Sequence, residues 1–145
     1  MSGISSKNTI PELVVRSCLH NAGYRFRVHR RDLPGNPDIV MTKYNLVIFV
    51  NGCFWHRHTG CKYAYHPKTR EEFWQNKFLQ NVLRDKKNIL RLLESGWKVL
   101  IIWECFLKKK NKSFITEMLE NAIQSEAEYY ELPLTDSSEI ISLNE

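Results

Sequence analysis

The sequence predicts an α/β domain built around a mixed sheet, and three observations predict it. Two runs, Leu46-Val-Ile-Phe-Val50 and Trp97-Lys-Val-Leu-Ile-Ile-Trp103, are apolar on both faces, as central strands covered on two sides are. Between them, from Thr69 to Gly96, apolar residues recur near helical spacing, so strand, helix and strand make a crossover unit, right-handed by default. With 145 residues, 43% of them hydrophobic and 12% aromatic, the chain can fill one core, and it carries no internal repeat or low-complexity linker.

Taken in chain order, Thr9-Ile-Pro-Glu12 opens a first helix, with Thr9 as cap, Pro11 in the first turn and Glu12 placed to reach back to the cap N–H. That helix runs to about Ala22 and stops at Gly23. Tyr24 to His29 alternates with period two, Asp32-Leu-Pro-Gly-Asn-Pro37 turns the chain, and Asp38-Ile-Val-Met41 precedes the first apolar run as a neighbouring strand. Gly52 to Lys68, rich in His, Cys, Gly and aromatics, reads as a long ordered loop. Thr69-Arg-Glu-Glu72 repeats the capping signature and starts the crossover helix, with Phe73, Phe78, Val82, Ile89 and Leu92 towards the core and a basic opposite face. A last helix spans about Ser113 to Gln124. The domain therefore covers residues 1–126, and 127–145 form an acidic, weakly ordered tail.

Composition narrows the function class. No run approaches the roughly 18 apolar residues of a membrane span. Met1-Ser-Gly-Ile-Ser-Ser-Lys7 lacks the apolar stretch of a signal peptide, so a soluble, intracellular protein is expected. The formal charge of +5 hides an asymmetry: six of the 16 acids lie in 126–145, which has no Lys or Arg, leaving residues 1–125 at +11. A basic body favours a polyanionic partner through phosphate contacts and counterion release.

Four cysteines in an intracellular chain point to metal binding or plain burial ahead of disulfides. Cys53, His58 and Cys61 lie within nine residues of loop and Cys105 directly follows the last apolar strand, a set of sulfur and nitrogen donors that suits a structural zinc stapling the loop to the core. On spacing alone His56 competes with His58 for the fourth position. Cys18, on the first helix without ligand-type neighbours, reads as a core thiol.

A second constellation pairs Asp38, after a tight turn, with the end of the adjacent strand at Val50-Asn51, where a divalent ion could sit. Trp55 and Trp74, in a basic protein, are candidates for stacking on bases, while Phe73 reads as core.

Asp32-Leu-Pro-Gly-Asn-Pro-Asp38-Ile-Val, Val47-Ile-Phe-Val-Asn-Gly-Cys-Phe-Trp-His56, Glu72-Phe-Trp74, Asn81-Val-Leu-Arg-Asp85 and Gly96-Trp-Lys-Val-Leu-Ile-Ile-Trp-Glu-Cys105 together resemble the very-short-patch-repair (Vsr) mismatch endonucleases, in unbroken order over about residues 6–107. The resemblance implies a restriction-endonuclease-like fold and a magnesium-dependent enzyme that nicks one strand of duplex DNA beside a T·G mismatch. It implies Asp38 and the Val50 backbone carbonyl as magnesium ligands, His56 as the group that polarises or deprotonates the attacking water, and Glu12 as the holder of a water on that metal. It assigns structural zinc to Cys53, His58, Cys61 and Cys105, and matches Phe54, Trp55 and Trp74 to aromatics that enter the duplex.

Three departures qualify the likeness. Asn51 stands where relatives often carry His or Asp, so an ionisable contact on the phosphate side becomes an amide. Val50 replaces Thr at a position whose implied ligand is the backbone, so little should change. The basic arm that precedes Ser6-Lys-Asn8 in relatives is shorter here, which predicts weaker affinity or selectivity. One chain supplies one such site, so a monomer that cuts one strand is expected, acting on DNA in a bacterial cytoplasm, at the nucleoid, beside repair-pathway proteins. Two other readings share these residues: a restriction-type or general nuclease without mismatch preference, and a zinc-stabilised DNA-binding module without catalysis.

Overall fold

A computed structural model of the chain describes residues 9–108 and 110–134. Helix α1 (Ile10–Asn21) is followed by strands β1 (Arg27–Val28), β2 (Ile39–Met41) and β3 (Leu46–Asn51), helix α2 (Glu71–Glu94), strand β4 (Lys98–Trp103), helices α3 (Glu104–Lys108) and α4 (Lys112–Gln124), and strand β5 (Tyr129–Leu132). The strands form one sheet in the order β1-β2-β3-β4-β5. β1, β2 and β3 are antiparallel neighbours, while β3-β4 and β4-β5 are parallel. The sheet is therefore mixed, with β3 at its centre.

Alternation along the strands divides the core in two. Ile39, Met41, Ile48, Leu100 and Ile102 pack with Val15 and Leu19 of α1 and Ile115, Leu119 and Ile123 of α4. Val40, Val47, Val99, Ile101 and Trp103 face the other way, against Leu92 of α2 and Cys53 of the long loop. Cys18 is buried in the first layer, as expected of a core thiol.

Several local expectations are corrected. The Thr9 side chain caps α1 by accepting from the Glu12 N–H. The Glu12 carboxylate, however, accepts from Arg16, one turn on along the same helix, and from His29, just after β1, partners stronger than a cap N–H. Regular pairing of the alternating stretch 24–29 is confined to Arg27–Val28. Thr69 does not cap α2: the N-cap is Arg70, in the left-handed region and without a side-chain cap bond. Phe73 is 47% exposed, since α2 turns Phe78 and Leu92 inward and leaves its first turn beyond the sheet. The tail expected from residue 127 is also too long. Tyr129 and Leu132 are buried and their strand pairs with Val99–Ile102, with acidic residues beside them in sequence hiding a four-residue strand. The expectations of a shortened N-terminal arm and, for the most part, of an acidic tail fall on residues 1–8 and 135–145, which lie outside the described residues. Among the described residues, no helix is long and apolar enough to cross a membrane.

Candidate active site and metal centre

Parallel pairing of β3 with β4 sets Asn51 opposite Trp103. Two residues on from each stand Cys53 and Cys105, so the register itself brings the two thiols together at the strand ends. The loop returns His58 and Cys61 to them: the four ligand atoms lie within 4.8 Å of one another, with His58 Nδ1 at 3.7 Å from Cys53 Sγ and 3.4 Å from Cys105 Sγ. The His58 ring stacks on Trp103 at 4.3 Å and 8°.

The chemistry of this donor set suits a cation. Desolvation pushes the Cys53 thiol up to about 12 and raises Cys105, so burial alone disfavours both thiolates. Burial also lowers the His58 imidazole, which keeps it neutral and able to coordinate. Three thiols and a neutral imidazole converging on one point can hold a divalent ion in a closed tetrahedron.

His56 is not in this cluster. Arg57, between the two histidines, adopts φ 56°, and the chain direction changes there. His56 Nδ1 meets Asp85 Oδ2 of α2 at 2.6 Å instead. The choice between the histidines, left open by spacing, is thus made by geometry. Asp85 stands in one of the motifs that carry the resemblance, but nothing there gave it a chemical role. Its signal was there: Asn81 and Asp85 share a helix face with Phe78 and Leu92, and polar residues on an apolar stripe ask for partners. Asn81 finds the Trp55 carbonyl, at 3.2 Å.

Asp38, just before β2, accepts from the Val50 N–H at 2.7 Å. Burial raises its carboxyl to about 6, partly offset by that N–H, and Glu12 raises it further while His56 and His29 lower it. A carboxylate withdrawn from water in this way is ready to take a cation as counter-charge. Asp38, Val50, Asn51, Trp55, His56 and Glu104 line a cleft of about 720 Å³. Glu12 does not line it; it lies buried behind, with His29 Nε2 at 3.0 Å and Arg16 Nη1 at 3.2 Å on one of its oxygens. His29, another residue unassigned from sequence, holds φ 56° and lines the cleft.

Phe54 is the hub of a ring cluster beside the cleft. Trp55, Tyr65, Trp74 and Phe78 lie 5.0, 4.8, 5.7 and 5.2 Å from it, and Trp55 and Trp74 are 5.9 Å apart. Phe78 is buried, and Trp55 and Trp74 are half-buried. Trp55 alone of these rings also lines the cleft.

Comparison with known proteins follows from these motifs. The family model described as DNA mismatch endonuclease Vsr matches residues 1–62. The chain is 50% identical over 107 residues to the type II nicking enzyme V.XorIIP of Xanthomonas oryzae pv. oryzae, covering 74% of this chain and 78% of that one. It is 45% identical over 129 residues to the DNA mismatch endonuclease Vsr of Escherichia coli K12, covering 87% and 82%. With the type II nicking enzyme V.NmeAIP of Neisseria meningitidis serogroup A it shares 41% over 124 residues, 86% of each chain.

Proposed function

The chain belongs to the Vsr DNA mismatch endonuclease family, and from that premise we propose that it is an endodeoxyribonuclease of mismatch repair that nicks one strand of duplex DNA beside a T·G mismatch. The observation that carries the reading is the convergence of Asp38, Asn51 and His56 on one cleft, next to the ring cluster. The mixed sheet with an antiparallel β1-β2-β3 leading into parallel β3-β4 supports a restriction-endonuclease-like fold.

Asp38 and the Val50 carbonyl would hold catalytic magnesium, and Cys53, His58, Cys61 and Cys105 structural zinc. Bound there, magnesium would neutralise the charge that develops on the phosphate during hydrolysis. The remaining work falls to side chains. Asp85 takes the Nδ1–H of His56, which leaves Nε2 as the free lone pair, directed at the proton of an attacking water. Once His56 has that proton, the Asp85 carboxylate stabilises the imidazolium. Glu12, held by His29 and Arg16 behind the cleft, would fix His29, which lines it, and orient water at its back wall. Asn51 offers the phosphate an uncharged amide where relatives often carry an ionisable group.

Phe54, Trp55 and Trp74 act as the wedge. Unstacking a base step costs a few kcal/mol and costs least at a mispair, while each stacked ring returns about 1–3 kcal/mol. The difference selects mismatched sites. One chain has one such site, so a monomer cuts one strand, in a bacterial cytoplasm and in concert with repair-pathway proteins. Asp38→Asn tests the catalytic assignment: nicking should vanish while mismatch binding and zinc content stay, and retained cleavage would rule the site out.

A further inference from the structure

We propose that Tyr65 is a further DNA-contacting residue, a base-stacking ring held against Phe54 by a clamp that Arg57 provides; this rests on the reading of Phe54, Trp55 and Trp74 as the rings that enter the duplex.

Tyr65 is 61% exposed, the most exposed ring of the cluster around Phe54. Its ring centre is nevertheless 4.8 Å from that of Phe54, at 38°, so it extends the wedge rather than standing apart from it. A single exposed aromatic is ordinary on a protein surface. One fixed in position by a dedicated side chain is not.

Arg57 supplies the fixing. Its Nη1 donates to the carbonyls of Phe54 and Tyr65, both at 3.1 Å, and its Nη2 to that of Ala64 at 2.9 Å. One guanidinium thus ties the two ends of the loop's excursion, residues 54 and 64–65, to each other. The same group lies over the buried Phe78 ring at 3.8 Å and near Phe54 at 5.5 Å, which anchors the tie to the core. The Arg57 backbone, at φ 56°, is in a conformation that glycine adopts without strain and arginine does not. The clamp offsets that strain.

The surroundings fit a nucleic acid. Lys62, Lys68 and Arg70, all exposed, flank Tyr65 along the loop. Cations for phosphates around an exposed ring for a base are the two halves of a single-strand or opened-duplex contact. The occupant is therefore a base at or beside the opened mismatch.

The test uses the zinc-loaded full chain, with fluorescence anisotropy on a T·G duplex and its matched counterpart, and with melting temperature and zinc content measured in parallel. Tyr65→Ala should weaken T·G binding about tenfold and matched binding less, at unchanged melting temperature. Tyr65→Phe should recover most of the loss, since the ring is what stacks. Arg57→Gly removes the clamp while relieving the backbone, and should bind like Tyr65→Ala with its zinc retained. Should Arg57→Gly not fold, the two Tyr65 variants decide. Wild-type affinity in Tyr65→Ala, with discrimination lost in Trp55→Ala, would overturn the Tyr65 inference alone. A wild-type protein that does not distinguish T·G from matched DNA would overturn the wedge reading and Tyr65 with it.

Discussion

The Nδ1 of His56 lies 2.6 Å from Oδ2 of Asp85, 29 residues away and on the far side of the whole Cys/His loop. An imidazole so bound has one tautomer and one free nitrogen, which is what a general base requires. Asp85→Asn keeps the shape and can offer the ring an N–H in place of a charge. Single-turnover nicking should fall about 10²- to 10⁴-fold with zinc content and DNA affinity preserved. A rate within a factor of a few of wild type would separate Asp85 from the chemistry.

A second prediction comes from Asp38, whose carboxyl is raised by burial from 3.8 to about 6. Without magnesium, the folded chain holds this proton more tightly than the unfolded chain does. That contribution to stability is full below the unfolded value and is lost as pH rises through about 6. Above it the fold carries a buried charge, at a cost on the order of 1–3 kcal/mol. Asp38→Asn, whose amide oxygen can still accept from Val50, should therefore raise the melting temperature of zinc-loaded, magnesium-free protein at pH 8. The gain should shrink as the pH is lowered towards 4. A variant no more stable than wild type at pH 8 would argue against a buried charge there.

Zinc makes a third. One ion per chain is expected, and Cys105→Ala should destabilise strongly, because a structural zinc contributes on the order of 10 kcal/mol. Metal analysis of protein purified without chelator checks the first part, thermal melting the second. Protein that is folded and zinc-free would remove the staple from this account.

Trp55 and Trp74 should behave differently from each other. Trp55 borders the cleft, whereas Trp74 also stacks on buried Phe78 at 5.6 Å. Trp55→Ala should cost T·G affinity about tenfold with little change in melting temperature or in the salt dependence of non-specific binding. Trp74→Ala should lose affinity and stability together. Melting curves and affinities for matched and T·G duplexes distinguish this from two core rings, whose removal would cost about 3–5 kcal/mol of folding each and leave the mismatch-to-match ratio unchanged.

What the sequence made legible was whatever a short window can hold. The apolar runs of β3 and β4, the turn before Asp38 and the Gly stops of α1 and α2 are local, and the structure has them. The Cys/His cluster was legible as a candidate ligand set because three of its members share one loop, although spacing alone did not choose between His56 and His58. The partners that span the fold were not: His29 with Glu12, Asp85 with His56 and the Arg57 tie to residues 64 and 65 exist only once the sheet and α2 are assembled. β5 was hidden for a related reason. Its Glu131 accepts from the Trp103 indole N–H at 2.6 Å, so a residue read as tail charge is a paired group at the sheet edge.

The central claim is that this chain nicks beside a mismatch, and strand-resolved cleavage tests it most directly. Zinc-loaded protein with magnesium would be incubated with a duplex carrying one T·G pair and with the same duplex fully paired, each strand labelled separately. One nick, in one strand of the T·G duplex, with the paired duplex intact, is the predicted result. Equal cutting of both duplexes, or scission of both strands by the monomer, would contradict it.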